Sequence, residues 1–79
     1  MKEAPYTPVS CDLHSRLELA VMRREVREWV WNDGSGEQRL LAQPLDVVTR
    51  DQAEWLLLSD QTAVKKDATC WLRLDWLKD

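Results

Sequence analysis

Apolar residues first take on a regular spacing after Asp12, where Leu13, Leu17, Ala20 and Val21 recur at i, i+4, i+7 and i+8. That spacing predicts a short amphipathic helix ending near Met22. Two start signals compete, because Asp12 is a good N-cap while Ser15 with Glu18 matches a capping box. A turn of about 100° per residue puts His14 and Glu18 together on the flank of the apolar stripe, with Leu19 away from it. Leu19 therefore packs at an end of the fold or is exposed. Upstream, Pro5 and Pro8 push the residues before them towards extended backbone, so residues 5–10 read as an extended lead-in or edge strand.

From Glu25 the period changes to two, and Glu25–Trp31 reads as a strand running into Asn32-Asp33-Gly34-Ser35-Gly36. That turn holds both glycines of the chain, and residues 37–42 are expected to return as its partner. Pro44 cannot donate to a ladder, so it ends or bulges that strand before Leu45–Thr49. Ala53–Leu58 predicts a central strand with Trp55 and Leu57 on one face and Glu54, Leu56 and Leu58 on the other. After the polar run Ser59–Asp67, residues Cys70–Leu77 alternate as a last strand, with Leu72, Leu74 and Trp76 opposite Trp71, Arg73 and Asp75. One N-terminal helix and four or five short strands make a mainly β domain spanning residues 1–79. A sheet this short and bent is expected to close into a barrel, which removes its edges.

Composition narrows the function. With 79 residues there is room for one small core, and five tryptophans with no phenylalanine are the large residues available to fill it. Fourteen acidic against eleven basic residues give a net charge of −3, which disfavours a sequence-independent nucleic-acid binder and favours a basic partner surface. No stretch approaches a membrane span, and the opening MKEAPYTPVSC lacks the apolar core of a signal peptide, so a cytoplasmic protein is expected. Cys11, Cys70 and the lone His14 cannot supply a four-ligand zinc site, and the two thiols are expected to be reduced, a disulfide or redox pair being the alternative.

Candidate chemistry is sparse. No nucleophile, base and carboxylate converge on one another, so no catalytic residue and no cofactor is expected. His14 reads as a surface or partner-contact residue. The Gly-Ser-Gly segment joins two strands instead of opening a helix, which makes it a hairpin turn and not a phosphate loop. Arg16, Arg23, Arg24 and Arg27 form the one basic cluster, diluted by Glu18, Glu25 and Glu28. It is a solvated mixed-charge face or, alternatively, an RNA contact. Trp29, Trp31 and Trp55 sit on apolar strand faces, where core filling competes with base stacking and is favoured. Asp12 and Glu18 suit the positive end of the helix dipole, a role compatible with a partner contact.

Read as a pattern, Tyr6-x-Pro8-Val9-x-Cys11-Asp12 followed by Leu17-Glu18-Leu19-Ala20 resembles the opening of the Rho-binding antiterminator family, the modulators of Rho-dependent transcription termination. The Asp33-Gly34 turn, Asp46, Glu54-Trp55-Leu56 in place of Glu-Tyr-Leu, and Leu72-Arg73-Leu74-Asp75 continue the resemblance along nearly the whole chain. It implies a small Sm-like β-barrel with an N-terminal helix. It also implies a non-enzymatic, monomeric ligand of the N-terminal RNA-binding domain of the Rho termination factor, which impedes capture of RNA without itself binding nucleic acid. The resemblance carries Asp12 and Glu18 over as partner-binding residues, with His14 replacing an aromatic on the same flank. Between its two blocks this chain has Leu13-His14-Ser15-Arg16 where the family is acidic with a tyrosine, so two acids are missing and one base is gained. The alternative function is a small Sm-like RNA-binding barrel using the arginine cluster and any exposed tryptophan. A domain that only assembles with itself, through Leu19 or an open strand edge, is the third reading.

Overall fold

The computed structural model describes residues 6–62 and 68–78; Pro5 and positions 63–67 of the polar run lie outside the described residues. Helix α1 spans Cys11–Arg23. Its N-cap is neither Asp12 nor Ser15 but Ser10, whose extended backbone lets the hydroxyl accept the Leu13 N–H at 3.1 Å. The helix therefore starts one turn earlier than the capping box implies, and Asp12 falls in the first turn, where the dipole favours a carboxylate. At the other end Arg24 takes a left-handed conformation, φ 54°, and the Arg24 and Glu25 N–H groups donate to the Val21 and Ala20 carbonyls at 3.1 Å. The predicted stripe is the buried face: Leu17 and Ala20 are buried, Leu13 and Val21 pack partly against the core, and Leu19 is exposed. Ser10→Ala is expected to cost about 1 kcal/mol. In a domain this small that lowers the melting midpoint by about 4–8 °C, readable by circular dichroism.

Four antiparallel strands follow in the order β1-β2-β3-β4, with β1 at Arg27–Asn32, β2 at Glu37–Arg50, β3 at Ala53–Asp60 and β4 at Thr69–Arg73. Each strand pairs with its neighbour in sequence. The β1–β2 turn is held by Asn32 Oδ1, which accepts the Gly34 N–H at 2.9 Å, and both glycines sit at positive φ. The two segments expected on either side of Pro44 form one 14-residue strand. Pro44 pairs with Leu58 and Asp46 with Leu57, so Leu45 is an extra residue in a bulge, which bends β2 without ending it. The β2–β3 turn consists of Asp51 and Gln52, at φ 52° and 61°. Both take the left-handed conformation a tight hairpin demands, without a glycine.

The core gathers Leu17 and Ala20 of α1 with Trp29, Trp31, Ala42, Leu56, Leu58, Leu72 and Leu74. The Trp29 indole N–H donates to the Ala42 carbonyl at 3.0 Å, which satisfies the one polar atom this side chain brings inside.

The predicted last strand stops short. After Arg73 the chain turns through a 3-10 helix at Leu74–Trp76, which breaks the alternation, and Arg73 is buried with the Asp75 side chain only 9% exposed, instead of both facing solvent. Arg73 Nε and Nη2 grip Asp75 Oδ1 and Oδ2 at 2.6 and 3.1 Å, and Asp75 Oδ2 also accepts the Thr7 N–H at 2.9 Å. Leu77 then forms an isolated antiparallel bridge with Trp31, and the Lys78 N–H donates to the Val30 carbonyl at 2.9 Å. The domain is mainly β with one N-terminal helix, and its four-stranded sheet is not closed. Residues 6–10 run without strand pairing. Among the described residues no helix is long and apolar enough to cross a membrane.

Candidate functional site

The three sequence-selected residues all lie on α1, and the structure divides them. Asp12 stands well exposed in the first turn with the Arg16 guanidinium 3.5 Å from its carboxylate. His14 and Glu18, one turn apart, meet on the flank as the spacing implied, with His14 Nδ1 2.9 Å from Glu18 Oε1. A third member joins them from the sheet: Glu54 Oε2 of β3 lies 2.6 Å from His14 Nε2. The imidazole thus sits between two carboxylates, one from its own helix and one from the sheet beneath. The Nε2 contact is a close ion pair and not an aligned hydrogen bond, so Glu54 Oε2 is buried without a donor hydrogen bond among the described residues.

Glu54 had a signal that the sequence reading passed over. It shares strand parity with Leu56 and Leu58, which are fully buried, so an acid at that position points to the covered side of the sheet. With Val9, Cys11, His14 and Ser15 it lines an open recess of about 390 Å³ at the start of α1.

Tyr6, in the lead-in, belongs to the same neighbourhood. Its hydroxyl is buried with no hydrogen-bond partner among the described residues. Burial first, and the charge of Glu54 second, push its ionisation above the ordinary value, although the Val9 backbone and Arg73 pull the other way. The folded chain therefore holds the phenol proton more tightly than the unfolded one. This stabilisation is complete below a pH of about 10 and is lost as pH rises through the folded value. Tyr6→Phe is expected to leave neutral-pH stability unchanged or raised by up to about 1 kcal/mol, since it removes an unsatisfied buried hydroxyl. It is also expected to flatten the alkaline loss, measured by urea unfolding at successive pH values.

Elsewhere the chemistry stays sparse. Among the described residues no three histidine, cysteine or carboxylate side chains gather as a metal site. Cys11 and Cys70 are both free thiols, and burial followed by the charge of Asp60 pushes the Cys70 thiol up. Arg16, Arg23 and Arg27 border a groove of about 290 Å³ beside Leu13 and Leu19, while Arg24, whose backbone caps the helix, does not line it. Arg23 faces Glu25 at 4.0 Å and the Arg27 guanidinium lies over the Trp29 ring, 4.0 Å from its centroid, so this face is of mixed charge.

The tryptophans separate into two sets. Trp29 and Trp31 fill the core as expected. Trp55 does not: it lies half-buried on the opposite face of β3, packed edge-on against Trp76 at 5.6 Å.

Comparison with protein-family models, with curated proteins and with solved structures returns no match.

Proposed function

We propose that this chain is a non-enzymatic cytoplasmic protein that binds, as a monomer, the N-terminal RNA-binding domain of the Rho termination factor and impedes its capture of RNA. The observation that carries the reading is the outward display of Asp12 and Glu18 on α1, on a chain whose sequence pattern resembles the Rho-binding antiterminators. A surface built to hold RNA is basic, and an acidic helix face is steered onto it.

The reading calls for a small Sm-like barrel, and what supports it is the order of elements, although the four-stranded sheet is not closed. A helix precedes a bent four-stranded meander, and the bridge from Leu77 to Trp31 brings the end of the chain to the free side of β1. In this reading His14 sets the pose of Glu18 and ties the helix to β3 through Glu54, while Arg16 tempers Asp12. Glu18 is then the main electrostatic contact.

The test is calorimetric titration of the chain into the isolated N-terminal domain of Rho at low salt, with and without a pyrimidine-rich RNA. Binding that the RNA displaces is the expected result; absence of binding by the folded chain overturns the reading. Glu18→Lys is expected to weaken binding about tenfold or more, mostly through the association rate, with the circular dichroism spectrum unchanged. An unaltered affinity removes Glu18 from the interface.

A further inference from the structure

The outer face of the sheet, turned away from Leu56, Leu58 and Leu72, carries an array that the α1 surface does not use. The Arg50 guanidinium lies 5.3 Å from the Trp55 ring centroid and 4.6 Å from that of Trp71. Beyond Trp55 come Trp76, edge-on, and then Arg73, 4.9 Å from the Trp76 ring. The Arg73 end is covered by the lead-in and the 3-10 turn, and Arg73 itself is buried. The Arg50 end is open: Trp71 is 38% exposed, and half of the Arg50 side chain meets solvent.

We propose that Trp71, Arg50 and Trp55 form a stacking site for an unpaired nucleobase of a single-stranded nucleic acid, with Arg50 facing the adjoining phosphate. Three observations bear on it. Trp55 is already held in place by its indole N–H donating to the Arg50 carbonyl at 3.1 Å and by its contact with Trp76, so it loses little side-chain freedom on binding. The guanidinium lies over both rings while its ion pair with Asp51 is 3.9 Å long, too long for a hydrogen bond, which leaves donors available to an anion. An indole on the strand face opposite the core costs exposed apolar surface that the fold itself does not require, because Leu72 already supplies the buried contact of that strand.

The chemistry also sets how binding responds to salt. A chain of net charge −3 has no field with which to gather phosphates, so affinity comes from stacking and from a single cation. With one phosphate neutralised on a single strand, affinity falls only about threefold between about 50 and 200 mM salt, against the steep loss of a basic groove. This site is separate from the α1 face and stands whether or not the chain binds Rho.

The experiment follows tryptophan fluorescence as a short oligouridylate is titrated into the full chain at two salt concentrations, without Rho. Saturable quenching with the shallow salt response is expected. Trp71→Leu, which keeps apolar bulk but removes the π face, is expected to weaken binding about fivefold or more, and Trp71→Phe to retain most of it. Arg23→Glu, in the groove beside α1, is expected to leave affinity within about twofold, since that residue neutralises no phosphate here. No quenching by the folded chain overturns the proposal. So does an equal affinity in the Trp71→Leu chain, a loss confined to the Arg23→Glu chain, or binding of a polyproline peptide where the oligonucleotide fails.

Discussion

Replacing Arg73 by alanine is expected to remove about 3–5 kcal/mol of stability, because it strands the Asp75 carboxylate inside the fold without its cation. A domain of this size has only about 4–12 kcal/mol in total, at roughly 0.05–0.15 kcal/mol per residue, so a large share of its stability is lost. The loss is broader than one ion pair. Arg73 also stacks 4.9 Å from the Trp76 ring centroid and 5.9 Å from that of Tyr6, and the Thr7 N–H depends on the same carboxylate. A bidentate grip with both side chains almost fully buried makes the interior geometry good only while both partners are present. The joint replacement Arg73→Met with Asp75→Leu is therefore expected to cost less than Arg73→Ala or Asp75→Ala alone, since it leaves no buried charge. Urea unfolding of the three chains measures this; a double variant as damaged as the single ones would mean that the pair itself, and not the orphaned charge, holds the fold.

Trp29→Ala is the second large effect, at about 3–5 kcal/mol. The indole is 1% exposed at the junction of β1, β2 and α1, and no smaller residue fills the space that Leu17, Ala42 and Leu56 leave around it. Part of the cost is polar. Trp29→Phe keeps most of the bulk but deprives the Ala42 carbonyl of its donor, for an expected loss of about 1–3 kcal/mol. Equilibrium unfolding followed by circular dichroism separates the two, and similar losses in both chains would assign the whole effect to the hydrogen bond.

The sequence pattern revealed what periodicity can reveal. The α1 stripe, the β1 and β3 faces and the hairpin at the two glycines follow from spacing and turn chemistry, and each is found where it was expected. The missed features have specific physical causes. Pro44 reads as a strand end because it lacks a donor, yet one extra residue at Leu45 lets β2 continue past it. Asp51-Gln52 gives only a weak turn signal, because Asp51 is a turn former but the glycine that usually follows it in a tight hairpin is replaced by Gln52. Alternation in Cys70–Leu77 assumes an extended backbone throughout, but the helical turn at Leu74 ends the strand and brings Asp75 onto Arg73, whose outward side chain Tyr6 and Trp76 cover. At the candidate site, the His14–Glu18 pair was legible from helical geometry, while Glu54 required knowing which face of β3 the helix covers. Trp55 was assigned to the core by its apolar neighbours, although its parity placed it with Leu57 and opposite Leu56.

The contact between Thr7 and Asp75 has a kinetic consequence. Every strand of this sheet pairs with the next one in the chain, so the hairpins β1–β2, β2–β3 and β3–β4 close short loops and form early. The Thr7–Asp75 hydrogen bond spans 68 positions, and the Trp31–Leu77 bridge joins the first strand to the segment after the last. Both close long loops and form only once the meander has brought the two ends together. Changes at these fastenings are therefore expected to act mainly on the unfolding rate and to leave the folding rate nearly untouched, so the lifetime of the folded state is set at the Thr7–Asp75 and Trp31–Leu77 contacts.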